Sequence, residues 1–185
     1  MQCIDEEPGV SSHHLPSRIF LIGLMGAGKT TVGKYLAQML DRPLKDVDHE
    51  IEKSTGASIQ WIFEIEGESG FRSREEAEIQ RLCDIEPIVL ATGGGVVISE
   101  KNRQTLSSKG YVIYLQASVE LLYKRTARDR RRPLLQNKNR KKILSQLLIQ
   151  REPLYLSIAD LVVETVDGSA KDMAKKIIDH LRQPT

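Results

Sequence analysis

Residues 18–40 read RIFLIGLMGAGKTTVGKYLAQML, and this stretch decides the fold of the chain. The short apolar run at 19–22 is typical of a buried strand, and apolar residues recur at helical spacing from Val32 to Leu40. Between them, residues 23–30 fit the phosphate-loop spacing G-x-x-x-x-G-K-[ST]. A strand before this spacing and a helix after it are the context that the motif requires. The stretch therefore predicts a site for a nucleoside triphosphate.

Each part of the motif has a physical role in holding phosphate. The glycines let the backbone turn tightly and aim its N–H groups at anionic oxygens, and the N-terminus of the next helix adds positive partial charge. Lys29 can reach the β- and γ-phosphates, and the Thr30 hydroxyl can ligate Mg²⁺. The alternative is a glycine-rich turn that binds nothing, and three glycines followed by Lys-Thr argue against it.

Length and composition limit the class of protein. A chain of 185 residues with 40% hydrophobic and 28% charged residues is typical of one globular domain. A net charge of +2 predicts no general attraction to nucleic acid or to a membrane, and two cysteines favour a reduced compartment over a disulfide framework. We therefore expect a single domain over 18–185, a flexible tail over 1–17, and a monomer in the cytoplasm.

Strands and helices alternate along the rest of the chain, which predicts a parallel sheet with helices on both faces. A further helix is expected over 141–150, ended by Pro153. Ligands of such sheets gather at the carboxyl ends of the strands. The predicted strands cover residues 19–22, 44–47, 88–91, 111–115 and 161–164.

Two aspartates lie at the end of the second predicted strand. Asp46 and Asp48 are two residues apart, so on an extended backbone both side chains lie on the same face. One carboxylate is expected near Mg²⁺, and the other is suited to orient an acceptor hydroxyl and take its proton. The alternative is an exposed strand-to-helix turn with Asp48 as the helix N-cap.

Three consecutive glycines at 93–95 follow the third predicted strand. They remove every side chain from one wall, so the backbone can approach a bound ligand closely. A merely flexible turn is the alternative.

The arginines form two groups. Arg72 and Arg151 are isolated and stand beside apolar residues, where a fixed guanidinium can fork onto a carboxylate. The second group lies in or beside a predicted mobile loop at 129–139, and in it Arg132, beside Pro133, is the best candidate to stabilise a transferring phosphoryl group. A nucleic-acid patch is the other interpretation, but the near-neutral net charge and 5% aromatic content argue against it. This second group consists of Arg125, Arg128, Arg130, Arg131 and Arg132.

The ordered motifs resemble the shikimate kinase family over about residues 19–165. They are GLMGAGKTTVGKYLA, DVDHEIEKSTGASIQWIFEIEGESGFRSREE, TGGGVV, RRPLL and REPLY. The resemblance implies transfer of the ATP γ-phosphoryl group to the 3-hydroxyl of shikimate, a step of aromatic amino-acid biosynthesis. It also implies a three-layer α/β/α P-loop fold like that of nucleoside monophosphate kinases. Such a fold has a five-stranded parallel sheet of order 2-3-1-4-5 and a lid, here at about 125–137.

The same resemblance implies a role for individual residues. The ATP phosphates are held by Gly26, Ala27, Gly28, Lys29, Thr30 and Thr31, and Mg²⁺ by Thr30 with Asp46 assisting through water. Asp48 holds the shikimate hydroxyls and is the candidate base, while Gly94 contacts the ring and Arg72 and Arg151 bind the carboxylate. Arg132 is the lid arginine that reaches ATP, and Arg125 lies against the adenine. Lys29, Asp48 and Arg132 are thus the expected catalytic residues.

One departure from the family and three rival functions remain at this point. Family members often carry an arginine in the loop after strand five, whereas residues 165–168 read TVDG. A nucleoside monophosphate kinase is disfavoured because Asp48 would repel a phosphorylated acceptor. A gluconate kinase is excluded less firmly, since gluconate is also a polyhydroxy acid. A GTP-dependent switch would need N-K-x-D, and residues 137–140 read NKNR.

Overall fold

The computed structural model describes residues 15–127 and 139–183. Its strands are β1 (Arg18–Ile22), β2 (Leu44–Asp46), β3 (Ile88–Ala91), β4 (Tyr111–Ala117) and β5 (Leu161–Thr165). Its helices are α1 (Lys29–Leu40), α2 (Val47–Thr55), α3 (Ile59–Leu82), α4 (Glu100–Lys109), α5 (Val119–Thr126), α6 (Arg140–Leu156) and α7 (Ala170–Leu181), with a 3₁₀ turn at Val96–Ile98.

All five strands form one parallel sheet in the order β2-β3-β1-β4-β5, as expected. The strand that precedes the phosphate loop, β1, lies at the centre between β3 and β4. The central strands are buried on both faces, which is why they read as continuous apolar runs. The phosphate loop therefore leaves the sheet from its middle strand.

Helices cover both faces of the sheet and give the predicted three layers. On one face, apolar residues of α1, α5 and α7 pack around Leu21 and Ile113. On the other face, residues of α2, α3, α4 and α6 pack around Phe20 and Tyr114. Helices α2, α3 and α6 of this second face also carry the charged side chains Asp48, Arg72, Glu75 and Arg151.

Several predicted boundaries differ from the structure, and two of the differences have a local reason. Val47 begins α2 rather than ending β2, because the Asp46 side chain accepts a hydrogen bond from the Asp48 N–H and caps the helix there. Pro153 lies inside α6, which continues to Leu156. The carbonyl that loses its partner to Pro153 belongs to Ile149, which lies on the exposed face of the helix, so water can satisfy it.

Helix α3 is interrupted in its first half. Gly67 has φ 70° and ψ −175°, which is not helical, so two helical segments meet there. Such a left-handed φ is readily adopted by glycine. Arg72 and Glu75 both follow this break, on the segment that carries the buried residues Phe71, Ile79 and Leu82.

Among residues 15–127 and 139–183, no helix has the length and apolar character needed to span a membrane.

Candidate active site

A cleft of about 490 Å³ opens at the carboxyl ends of the strands, where the sequence places the site. Its volume is in the range of small-molecule sites. The phosphate loop forms one side and the ends of β2 and β3 form the other. The cleft is lined by Met25, Gly26, Ala27, Gly28, Lys29, Thr30, Thr31, Val32, Asp46, Asp48, Thr92, Gly93, Gly94, Arg125, Thr165, Gly168, Ala170 and Met173.

Backbone geometry shapes the phosphate loop. Gly23, Gly26 and Gly28 have φ values of 140°, 84° and 102°. A Cβ on Gly23 would stand 2.6 Å from the Leu115 carbonyl oxygen, so the loop packs directly against β4. Gly28 is the N-cap of α1 and makes no side-chain capping bond. The loop thus leads into a helix N-terminus, which favours anions.

Lys29 lies against the loop that precedes it. Its Nζ donates to the Gly23 carbonyl at 2.7 Å and to the Leu24 carbonyl at 3.1 Å. The side chain is 8% exposed. These bonds hold the ammonium group at the loop where phosphate oxygens are expected.

Thr30 and Asp46 form a hydroxyl–carboxylate pair on the rim of the phosphate loop. Thr30 Oγ1 donates to Asp46 Oδ2 at 2.6 Å, and Asp46 Oδ1 accepts from the Asp48 N–H at 3.2 Å. Both side chains supply oxygen, the atom that Mg²⁺ prefers. No cluster of three or more His, Cys, Asp or Glu residues is found in the described ranges, so a cation here would also need oxygens from the nucleotide.

Asp48 lies in the first turn of α2, partly exposed to the cleft. The N-cap of this helix is Asp46, so the alternative role of Asp48 as N-cap is wrong. Its Oδ1 would be 3.1 Å from a Cβ on Gly93, which places the carboxylate against the glycine turn.

Side chains and backbone press closely on all three glycines at 93–95. A Cβ would stand 2.8 Å from Glu75 Oε1 at Gly93, 3.0 Å from the Met25 N at Gly94, and 2.3 Å from an Arg72 Nη at Gly95. The turn is therefore a packed contact between the phosphate loop and the acidic and basic groups of the second face. A merely flexible turn does not describe it.

Arg72 forms an ion pair with a buried glutamate. Its Nη1 donates to Glu75 Oε2 at 2.7 Å, and its Nη2 donates to the exposed Glu68 at 3.0 Å. Glu75 is fully buried, and its Oε1 accepts no hydrogen bond from the described residues. Burial raises the pKa of the Glu75 carboxyl; Arg72 and Arg151 oppose this effect, and Asp48 adds to it. All four charged groups thus lie within electrostatic range of one another.

Arg151 reaches the same turn from α6. Its Nη1 donates to the Gly94 carbonyl oxygen at 3.0 Å, and the Tyr155 hydroxyl donates to that same oxygen. Arg151 is 5% exposed and has no carboxylate within 4.0 Å among the described residues. Glu75 is nevertheless close enough for its carboxylate to interact electrostatically with the Arg151 guanidinium.

Arg125 joins two walls of the nucleotide side. Its Nη1 donates to the Ala27 carbonyl at 3.3 Å, and its Nη2 donates to the Val166 carbonyl at 3.1 Å. The phosphate loop and the loop after β5 are therefore linked by one guanidinium group.

The residues expected from the sequence fall into three sets. Residues 26–31, Asp46, Asp48, Gly94 and Arg125 line the cleft, whereas Arg72 and Arg151 adjoin it through the glycine turn. Arg132 and nearly all of the expected lid lie outside the described residues.

The predicted site did not include two buried residues of this region, Glu75 and Tyr155. Helical spacing offers a signal for both, because Glu75 is three residues after Arg72 and Tyr155 is four residues after Arg151.

Comparisons with known proteins show which family the chain is similar to. A family model described as shikimate kinase matches residues 25–182. The chain is 53% identical over 169 residues to shikimate kinase of Psychrobacter sp. (strain PRwf-1), covering 91% of this chain and 93% of that protein. It is 52% identical over 165 residues to shikimate kinase of Vibrio cholerae, covering 89% and 95%.

A solved structure is similar over the same region. Shikimate kinase from Acinetobacter baumannii in complex with shikimate superposes with a TM-score of 0.88 at 50% identity, covering 89% of this chain and 92% of that chain. The matches extend over most of both partners and are not confined to the phosphate loop. This chain belongs to the shikimate kinase family.

Proposed function

We propose that the cleft transfers the γ-phosphoryl group of ATP to the 3-hydroxyl of shikimate, giving 3-phosphoshikimate and ADP. The chain is an ATP-dependent small-molecule kinase with an alcohol group as acceptor. The observation that carries the assignment of roles is the meeting of Asp48, Glu75, Arg72 and Arg151 beside the phosphate loop. A hydroxylated carboxylate needs both an acceptor for its hydroxyls and a cation for its acid.

Residues of the phosphate loop hold the triphosphate. Backbone N–H groups of 26–31 surround the phosphate oxygens, and Lys29 neutralises charge that builds on the β- and γ-phosphates. Arg125, fixed to the carbonyls of Ala27 and Val166, supplies the surface for the adenine. This placement offers a nucleotide contact in a chain whose 165–168 loop carries no arginine.

Thr30 and Asp46 are the residues that would hold Mg²⁺. The hydroxyl and carboxylate oxygens stand 2.6 Å apart on the rim of the loop, and this oxygen donor set fits a cation that is shared with phosphate. When bound, Mg²⁺ supplies charge neutralisation on the transferring phosphoryl group.

The acceptor is held and activated by side chains of the second face. Arg72 and Arg151 bind the shikimate carboxylate, and the Gly94 backbone contacts the ring. Asp48 accepts a hydrogen bond from the 3-hydroxyl and orients its oxygen toward the γ-phosphorus. As the new O–P bond forms and the bond to ADP breaks, the hydroxyl proton passes to the Asp48 carboxylate. Arg132 is proposed to stabilise the charge on the transferring group, and the monomeric state and cytoplasmic location stay predictions.

A coupled ADP-release assay with several acceptors tests the assignment. Shikimate, gluconate and nucleoside monophosphates are compared at equal concentration with ATP and Mg²⁺. We expect turnover with shikimate that exceeds the other acceptors by at least about 100-fold in kcat/KM, since buried polar groups reject acceptors that leave them unpaired. Equal or faster turnover with gluconate would contradict the proposal.

A further inference from the structure

The described part of α6 carries a buried tyrosine that has no role in the reaction outlined above. Tyr155 is fully buried and lies one helical turn after Arg151, so both side chains extend from the same face of α6. The Tyr155 hydroxyl and Arg151 Nη1 both donate to the carbonyl oxygen of Gly94. A carbonyl oxygen has two lone pairs, so the two donors together saturate it.

The aromatic ring of Tyr155 packs against a second tyrosine ring. It stacks on the ring of Tyr114 with centroids 4.9 Å apart and an interplanar angle of 21°. The Tyr114 hydroxyl donates to Glu152 Oε1 at 3.4 Å, and Gln116 Nε2 donates to the same oxygen at 2.7 Å. Strand β4 therefore sets the position of both rings, and the Tyr155 hydroxyl has little freedom to leave Gly94.

The Tyr155 hydroxyl also remains a hydrogen-bond donor across the pH range of the assays. Burial raises the pKa of Tyr155 above its usual value, and the neighbouring Tyr114 adds to this effect while Arg151 opposes it. The phenol thus keeps its proton throughout the pH range in which the protein is assayed.

The Gly94 carbonyl oxygen links two residues, Gly94 and Arg151, to which the proposed function gives a role in acceptor binding. Gly94 is 57 residues from Arg151 in the chain, and this carbonyl is where α6 meets the turn after β3. A hydrogen bond from Arg151 alone would not fix the direction of the Gly94 carbonyl, because the long arginine side chain can change rotamer. A second donor on a rigid ring fixes the carbonyl direction, and with it the point where the guanidinium is anchored.

We propose that Tyr155 is a positioning residue for the acceptor: its hydroxyl locks the Gly94 peptide and the Arg151 guanidinium into one arrangement that receives the shikimate carboxylate and ring. This inference rests on the proposed function. Tyr155 itself touches neither the nucleotide nor the reacting atoms. Its removal should therefore weaken acceptor binding without changing ATP binding or the chemical step.

The test replaces Tyr155 by Phe, with Tyr114→Phe as the matched control. Each variant removes one hydroxyl from the same stacked pair, but only the Tyr155 hydroxyl reaches Gly94. We expect Tyr155→Phe to raise the KM for shikimate about 3- to 10-fold, the range that one neutral hydrogen bond is worth, and to leave kcat and the KM for ATP within about twofold. Tyr114→Phe should change all three by less than about twofold.

A second measurement separates positioning from general loosening of the fold. Tyr155→Phe combined with Arg151→Lys should raise the KM for shikimate by less than the product of the single effects, because both residues act on one oxygen. Thermal unfolding of every variant sets an assay temperature at which all are folded.

Three outcomes would overturn the inference: an unchanged KM for shikimate in Tyr155→Phe, an equal rise in the KM for ATP, or single effects that multiply fully in the double variant. Failure of the proposed function is recognised separately, because the wild-type protein would then not release ADP with shikimate.

Discussion

The two halves of the cleft are built in opposite ways. The half proposed to bind the nucleotide, called here the nucleotide half, comes mainly from one continuous stretch, residues 23–31. Its proposed binding groups are mostly backbone N–H groups placed by glycines with positive φ. The half proposed to bind the acceptor, called here the acceptor half, is assembled from α2, α3, the turn after β3 and α6. Its proposed binding groups are charged side chains. The first half depends on local geometry, whereas the second depends on packing between distant elements.

This difference has a consequence for how each half tolerates change. A substitution in the nucleotide half should affect ATP or the chemical step directly. A substitution in the acceptor half should also disturb neighbouring charges, because four ionisable groups share a small volume there. The following predictions test that contrast, in order of decreasing effect.

Lys29→Ala should produce the largest loss. We expect kcat to fall by at least about 100-fold, since the ammonium group that neutralises the transferring phosphoryl group is gone. Steady-state ADP release measures the loss, and circular dichroism should show a folded protein. Lys34→Ala, an exposed lysine on the same helix, is the control and should retain wild-type activity. Wild-type activity in Lys29→Ala would remove this residue from the mechanism.

Arg72→Ala and Arg151→Ala should each raise the KM for shikimate about 10- to 100-fold with the KM for ATP little changed, because each removes a charge-assisted hydrogen bond to the carboxylate. Only Arg72→Ala also leaves the buried Glu75 without its cation. It should therefore lower Tm by roughly 6 to 12 °C, from a loss of about 3 kcal/mol. Titrations in which ATP binding weakens more than shikimate binding would reverse the assignment of the two halves.

Gly95→Ala should have a smaller effect through the same arginine. The new Cβ would stand 2.3 Å from an Arg72 Nη, so the guanidinium group must move, whereas the backbone conformation at residue 95 can stay the same. We expect the KM for shikimate to rise about 3- to 10-fold, as when one hydrogen bond is lost. In an Arg72→Ala background the same substitution should add almost nothing. An undiminished effect in that background would show that Gly95 acts by another route.

Glu75→Gln should give the smallest effect, seen in the pH dependence of stability. The folded protein raises the pKa of this carboxyl above its ordinary value of 4.5, so it holds the proton more tightly than the unfolded chain does. The Tm of the wild type minus the Tm of Glu75→Gln should therefore fall by a few degrees as the pH rises from 4.5 through the raised pKa. Above that pKa the difference should stay constant. Thermal unfolding between about pH 4 and 8 measures this difference. A relative Tm that increases with pH would mean that Arg72 outweighs burial.

The strand–loop–helix geometry of the phosphate loop was predicted from the sequence because it is local. The phosphate loop needs only a strand, a spacing of glycines and a helix, and all three are visible in residues 18–40. The central position of β1 and the full strand order, in contrast, were implied by resemblance to a family. Alternation of strands and helices alone predicts a parallel sheet but leaves the strand order open.

The acceptor half was predicted only in part because its contacts are tertiary. Arg72 and Arg151 were predicted as site residues and lie beside the glycine turn, whereas Glu75 and Tyr155 were not predicted. A glutamate on a helix usually faces solvent, and nothing near it in sequence shows that Gly93 packs on its carboxylate. Pro153 was misread for a related reason: α6 continues past it to Leu156, and Tyr155 in this last part stacks on Tyr114, a tertiary contact that the sequence does not show.

Opposite charges balance at the acceptor end of the cleft. The carboxylates of Asp48 and Glu75 offset the guanidinium groups of Arg72 and Arg151, and the whole chain carries only +2. A hydroxylated carboxylate that approaches this end meets no strong long-range field, so its capture depends on short-range fit. The rate of shikimate association should accordingly change little with ionic strength, unlike that of enzymes that draw in substrates by electrostatic steering.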